Sequence, residues 1–484
     1  MNALRVVVIG GGISGLAAAH RVVELNRRDG RPLEVIVLET GSRLGGVIET
    51  RRQDGMVLEG GPDAFLTEKP WAIALCQRLG LAEELIGTQE ACRRSFVLRH
   101  GQLVQMPEQF YLIAPGSLEA LAKSRVVSWP AKIRMAAEWC VPPRRSTGDE
   151  SVAAFVSRRF GREAFERIGQ PMVSGIYSAD ATTLSCDATL PQFRQWEQQY
   201  GSVLKALRAH AAARSQAALQ QASGPRYSLF MSLRRGLSTL VDALRARLPE
   251  GSIRCGVAVE HVERRDGWTI RCRGGESIFA DAVCLAAPAP QAATMLAGTA
   301  PELSRALAEI SFESVATVNV AFHRRHVPHA LDGFGFVVPH VERRRIIGCS
   351  FASVKFLHRA PEGTVVLRAF LGGALHRDVL EQDDASLERL VLEELRYALG
   401  ISASPMFVSI HRHERAMPQY HVGHLDRVAA IEARQARWPG LALIGNSYRG
   451  IGLPDCIHRA ELEAERLWTF VTASAASLAP VPSP

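Results

Sequence analysis

Residues 4–39 read LRVVVIGGGISGLAAAHRVVELNRRDGRPLEVIVLE, and this stretch decides the fold. Leu4 to Ile9 is a short β-branched run of the kind buried on both faces of a parallel sheet. Gly10 to Gly15 is a turn, Leu16 to Leu25 has a helical pattern, and Glu34 to Leu38 is a second apolar strand ending at Glu39. A GxGxxG between strand and helix, with an acid at the tip of the next strand, predicts a dinucleotide site. Gly10 permits the tight turn, Gly12 lets backbone N–H groups approach a pyrophosphate, and Gly15 lets helix and strand pack closely. The helix N-terminus then favours phosphate charge, and Glu39 can accept from ribose hydroxyls.

The motif alone does not separate NAD from FAD; its surroundings do. Arg43-Leu44-Gly45-Gly46 follows Glu39, supplying a cation and two flexible backbone positions near the phosphates. Glu59-Gly60-Gly61-Pro62 is another tight turn near the same strand ends. At the far end, the buried-strand run Leu441 to Ile444 leads through Gly445-Asn446 to Gly450-Ile451-Gly452-Leu453-Pro454 and a helix from about Pro454 to Phe470. That places a second helix N-terminus where it could meet the polar edge of a flavin. An NAD-only domain needs none of these, so FAD is the expected cofactor.

The fold class expected is α/β. A Rossmann-type FAD-binding domain is assembled from discontinuous segments, with a mixed-sheet substrate domain and an α-helical insert. The boundaries read are 1–90, 224–290 and 429–474 for the FAD-binding segments, 91–223 for a helical membrane-binding and substrate insert, 291–428 for the substrate-binding domain, and 475–484 for a tail. Glu150 to Arg159, Arg162 to Ile168 and Leu204 to Gln221 lack strand alternation, and Val141-Pro142-Pro143 and Gly224-Pro225 are breaks. Ser252 to Arg273 reads as paired strands around Arg265-Asp266-Gly267. Val315 to Phe322, Gly335 to Val338, Ile346 to Phe351 and Val365 to Leu371 form the spaced strands of a second sheet.

Composition narrows the classes further. The 484 residues, 47% of them hydrophobic, suffice for several domains and exclude wholesale disorder. The net charge of +8 comes from arginines spread along the chain without a compact patch, which argues against nucleic acid. The nine cysteines form no CxxC and no disulfide framework, so a reducing, cytosolic setting is expected. Val6 to Ala19 is no signal core, because three glycines interrupt it, and Ala282 to Ala300 is broken by Pro288 and Pro290, so no membrane span is expected. Only five residues are lysine, and beyond Lys205 the chain holds Lys355 alone.

VVVIGGGISGLAAAH, LETGSRLGG, LEGGPDAF and IGNSYRGIGLPDCI resemble the flavin motifs of the flavin-containing amine oxidase-like superfamily. QPMVSGIYSAD, GFGFVVP, AFLGG and MPQYHVGH resemble the protoporphyrinogen oxidase family within it, and the resemblance spans nearly the whole chain. It implies removal of six electrons from a porphyrinogen in three two-electron rounds, with oxygen as acceptor and peroxide formed, and coproporphyrinogen is used by related enzymes. It also implies a site without an acid–base side chain at the ring centre. Gly175 would offer its carbonyl to pyrrole N–H groups, Phe334, Val337 and Phe370 would be apolar walls, and Arg94 would bind a propionate. Many relatives have leucine or methionine where Val337 and Phe370 stand. The cofactor-binding set so implied is Gly10, Gly12, Ile13, Ser14, Gly15, Glu39, Arg43, Gly45, Gly46, Gly60, Gly61, Pro62, Val259, Gly445, Gly450, Gly452, Leu453 and Pro454. Heme biosynthesis, a cytoplasmic location peripheral to the inner face of the membrane, and a homodimer complete the expectations.

Two rivals share the fold. Amine oxidases place a lysine in the strand where this chain has Thr317, and an aromatic residue near Arg449 to Gly452; both are missing. A non-catalytic escort protein could lose the C-terminal flavin motif, which here is intact. His411, His413, His421 and His424 invite a metal reading, but no nearby Asp or Cys completes a set, and none is expected. Ser128 to Cys140 reads as a helix with Ile133, Ala136, Ala137 and Cys140 on one face. Arg125, Lys132 and Arg134 supply positive charge and Trp129 and Trp139 are interfacial types, so an anionic membrane surface is its expected partner, with ordinary packing as the alternative.

Overall fold

A computed structural model describes residues 3–107, 110–146, 148–210 and 230–477, without side-chain detail for the last three. Five strands make one parallel sheet in the order Ile253–Cys255, Leu33–Glu39, Leu4–Ile9, Ala282–Leu285, Leu441–Leu443. They come from chain segments hundreds of residues apart, and the fold is of the Rossmann type expected. Val6 and Val8 face one core with helix Ile13–Asp29 and the C-terminal helix Leu453–Ser477. Val7 and Ile9 face the other, with the hairpin around residues 259–280. A two-residue period in a strand buried on both sides gives this partition directly. The first helix starts at Ile13, so Ser14 and Gly15 lie inside its first turn and not in a loop before it.

The second sheet has seven strands in the order Phe407–Pro418, Phe312–His323, Thr364–Gly372, Gly348–Ser350, Gly335–Val337, Phe96–Arg99, Gln102–Gln105. It is mixed, because Gly335–Val337 and Phe96–Arg99 run parallel and the other pairs antiparallel. Phe96–Gln105 was read with the helical insert; it is instead the edge hairpin of this sheet. Its apolar residues Phe96 and Leu98 find their partners more than two hundred residues downstream, in the core with Val318 and Leu367.

The helical region between holds Trp129–Ala136, Val152–Phe160, a π-helical turn Phe165–Gly169 and Gln170–Tyr177. The Ser128 and Ser151 hydroxyls cap the first two by accepting N–H bonds. The expected helix Leu204 to Gln221 is described only to residue 210, and Gly224-Pro225 and the tail Ala479 to Pro484 lie outside the described residues. One expectation for Ser128 to Cys140 is corrected. Lys132 is buried and donates to Ala122 O, and Arg134 donates to Arg158 O and Arg159 O. These cations satisfy carbonyls inside the insert, while Trp129 and Ile133, 66% and 71% exposed, face outward. No helix among the described residues is long and apolar enough to cross a membrane.

Candidate active site

The glycine turn is shaped by close backbone approaches. A side chain on Gly10 (φ +112°) would start 2.7 Å from Ala286 O, and one on Gly15 would start 1.9 Å from Gly10 O. Gly12 is different: nothing lies within 4 Å of where its Cβ would be. It precedes a helix with no side-chain cap and no acid in its first turn, which leaves the leading N–H groups for an anion. Glu39 is held in place, accepting from Gly11 N and Gly41 N at 2.7 Å each. Gly45 N donates to Gly11 O at 2.8 Å, which brings Gly45 and Gly46 beside Gly12. Arg43 binds Gly46 O and Ile48 O, tying its own loop together. Val259 opens the hairpin opposite Cys272, two residues after Val257, whose N–H donates to Glu39 O at 2.9 Å.

The distant C-terminal motif closes on the same place. Leu453 and Pro454 begin the last helix, and Lys69 pairs with Asp455 in its first turn at 2.7 Å. Cys456 contacts Ser14, so the first and last helices start side by side; burial pushes the Cys456 thiol up to about 12, which leaves it inert. Gly445 (φ +124°) faces open space. Tyr420 Oη donates to Asn446 O at 2.6 Å, and His424 Nε2 donates to Tyr448 O at 2.7 Å. MPQYHVGH therefore straps down IGNSY. Burial lowers His424 to about 4, and its Nδ1 has no partner.

Gly60 and Gly61 form a buried turn in contact with the second sheet. Thr317 Oγ1 and His413 Nε2 both donate to Gly60 O, the latter at 2.9 Å; Asn319 Nδ2 donates to Glu59 O at 3.1 Å, and Arg368 Nη2 to Gly61 O. Beyond Pro62, Asp63 pairs with Lys355 at 2.9 Å; burial alone would raise this acid, but Lys355 and Arg368 hold it down at about 2. Sequence reading missed Asp63, Lys355, Arg368, Asn319 and His413 here. The available signals were an arginine inside the apolar strand VVLRAFLGG and the alternations Thr317/Asn319 and His411/His413. Among the described residues no cluster suits a metal ion; His411 bonds Ser409 Oγ and pairs with Glu49 at 3.5 Å.

Of the residues assigned to substrate, Val337 and Phe370 share a sheet row with Thr317 and Gly175 lies against Val337, while Phe334 and Arg94 bond each other at the start of the Val337 strand. One transverse row of the seven-stranded sheet runs Val337, Gly348, Phe370, Thr317, His411. Direct antiparallel neighbours share a face, so Val337 and Phe370 flank a residue that has no side chain. Gly175 lies in the last turn of Gln170–Tyr177, where carbonyls run out of intrahelical donors. A Cβ there would sit 3.7 Å from Val337 Cγ1. Val337, Met172, Tyr177 and Ile451 pack on the same core, which joins the Gly175 helix to the C-terminal glycine motif. Phe334 N donates to Arg94 O at 2.7 Å, and the Arg94 side chain pairs with Asp332 at 2.8 Å. Phe370 lies under the Arg368 guanidinium, 4.8 Å from its ring centre.

A parallel nucleotide-binding sheet on which three glycine-rich turns and two helix starts converge defines a flavin-dependent oxidoreductase. The comparison with known proteins makes this definite: residues 13–468 match the flavin-containing amine oxidoreductase family, and the chain belongs to it. Its cofactor is FAD. The open cradle at Gly12 and the uncapped helix suit the pyrophosphate, and the free space at Gly445 leaves room beside the last helix. The chain is 33% identical over 468 residues to coproporphyrinogen III oxidase of Bacillus subtilis (strain 168), covering 96% of this chain and 98% of that protein. It is 30% identical to protoporphyrinogen oxidase of Bos taurus, covering 96% and 98%. A solved structure from Exiguobacterium sp. 255-15, provisionally named protoporphyrinogen oxidase, superposes with a TM-score of 0.84 at 31% identity, covering 97% of this chain and 99% of that one.

Proposed function

We propose that this chain oxidises a porphyrinogen to the porphyrin in heme biosynthesis, taking protoporphyrinogen IX and removing six electrons in three rounds. The observation that carries the reading is Gly175, which lies in the last turn of its helix against Val337, on a core against which Ile451 of the cofactor motif also packs. When bound, FAD accepts the electrons and passes them to molecular oxygen, with hydrogen peroxide as product. The chain itself orients and encloses. The Gly175 carbonyl accepts a pyrrole N–H, Val337, Phe334 and Phe370 exclude water from the macrocycle faces, and Arg94 holds a propionate. Tyr177, two residues along the same helix, is kept a neutral phenol by burial and by Asp455, so it is no base. Arg94 is the single cation in this set and is already shared with Asp332, which suits a substrate with few carboxylates.

A second reading, coproporphyrinogen III, is favoured by the identity to the Bacillus subtilis enzyme of that name. Anaerobic mixing separates the two. Bleaching of the flavin band by protoporphyrinogen IX supports the first, and bleaching by coproporphyrinogen III alone supports the second. If only an amine bleaches it, both are wrong. We further propose peripheral attachment to the cytoplasmic face of the membrane through outward-facing Trp129 and Ile133. Co-sedimentation with anionic vesicles, lost in a Trp129→Ser, Ile133→Ser variant, tests it. A homodimer is proposed from the resemblance alone, and sedimentation velocity decides it.

A further inference from the structure

We propose that Thr317, His413 and Arg368 are positioning residues that polarise the Gly60–Gly61 peptide as a hydrogen-bond donor to FAD; this rests on the assignment of that turn to the cofactor. The carbonyl of Gly60 and the N–H of Gly61 are the two ends of one amide. At the carbonyl end, Thr317 Oγ1 and His413 Nε2 both donate, filling its two lone pairs. At the other end, Gly61 is buried, and among the described residues nothing accepts its N–H. A buried amide donor left without a partner costs about 1–3 kcal/mol, so natural folds rarely keep one unless something else supplies the acceptor. Donation into a carbonyl strengthens its own N–H, by about 10–30% per bond.

The turn cannot rotate away from this arrangement. A side chain on Gly61 would begin 1.7 Å from Val47 O, and one on Gly60 would begin 2.5 Å from His411 Nδ1. Gly60 N donates to Glu49 O at 2.8 Å. Arg368 fixes the next carbonyl and Asn319 the preceding one, from neighbouring strands of the same sheet. The substrate sheet thus holds in place a cofactor-domain amide whose N–H is left to donate. Such a donor stabilises the negative charge FAD gains on reduction, so the clamp raises the cofactor's reduction potential.

The test is a potentiometric titration of bound flavin with its visible spectrum. Thr317→Val should keep FAD at full occupancy, shift the spectrum and move the midpoint negative, leaving two- to fivefold more oxidised flavin at a given potential, about the effect of one hydrogen bond. Thr317→Ser should restore both readouts, which a merely structural role would not require. His413→Val removes the second donor from a half-buried edge strand and carries the same test where Thr317→Val does not fold. Unchanged potential and spectrum in both valine variants would overturn the proposal. Gly61→Ala tests the underlying assignment separately: FAD binding with an unaltered spectrum there would remove the turn from the cofactor site altogether.

Discussion

Two charge clusters buried among the described residues do different things. In the helical insert, Arg159, Glu138, Glu197, Arg194 and Glu150 are almost wholly inaccessible and bond one another within residues 138–203. Glu138 also accepts from Ser202 Oγ and from Val203 N. Under the Gly60–Gly61 turn, Glu59 pairs with Arg359, and Asp63 pairs with Lys355 and lies near Arg368. Here the acids come from the first FAD-binding segment and the bases from the substrate domain. The first cluster closes upon itself and fixes one domain's own shape. The second spends its polar groups on an interface, so substrate walls and cofactor turn cannot shift independently.

The largest expected effect comes from breaking the closed cluster. Glu138→Leu removes the main partner of a fully buried Arg159, leaving it only the longer Glu197 contact and backbone carbonyls, and should destabilise the insert by about 3 kcal/mol. A lowered thermal transition by circular dichroism checks it; pairing the change with Arg159→Leu should recover part of the loss. Flavin absorbance before the transition should be unaltered.

A third strap, between His424 and Tyr448, uses no charge pair, and acid should find it. The folded-state value of His424 is lowered from 6.5 to about 4, chiefly by burial, with Arg427 and Arg449 pushing the same way. Its contribution is therefore complete above pH 6.5 and is lost as pH falls towards 4, amounting to at most about 3 kcal/mol. Stability measured across that window should decline less steeply in His424→Phe.

Arg368→Met cuts the interface cluster and should weaken FAD retention by about 2 kcal/mol, the range for a bond from a charged group. Flavin released on dilution measures it, and equal loss from the Glu138→Leu chain would erase the contrast drawn above. Smallest is Gly175→Ala. Its methyl would meet Val337 at an ordinary 3.7 Å, so fold and flavin content should hold. A drop of about tenfold in kcat/KM for porphyrinogen would register the narrowed gap.

The cofactor domain was legible because its signals are local. GGGISG sits between an apolar strand and a helix, and Glu39 closes the unit within the same stretch. The C-terminal strand and helix carried a similar local pattern. Phe96–Arg99 was misassigned because a four-residue strand ending in arginine has no recognisable period until its parallel partner Gly335–Val337 is in place. The substrate walls came from resemblance, since half-buried Phe334 and Phe370 look like any core aromatic. The clamp escaped because its members are scattered over residues 317–413, and only the seven-stranded register brings them to one turn. Lys355 shows the same limit. Scarcity of lysine spoke against a lysine at position 317, yet the one lysine in the second half of the chain still reaches the cofactor turn by another route, through Asp63.

The order of strands in the parallel sheet has a consequence for how the protein is made. Strand Leu4–Ile9 leaves the ribosome well before its sheet neighbour Ala282–Leu285, and before Leu441–Leu443, the strand beyond that. The first helix is bound to the last through Arg21–Glu465 and through Trp468 to Asp29. The nucleotide cradle, translated before most of its sheet partners, is thus finished only after they have been made. Such long-range closure slows folding and leaves apolar strands exposed meanwhile. The helical insert, whose contacts are mostly local, can be complete before the cofactor has a place to dock. FAD must then enter after strand Leu441–Leu443 and the helix from Leu453 have been made, and its supply during expression should govern how much of the chain survives.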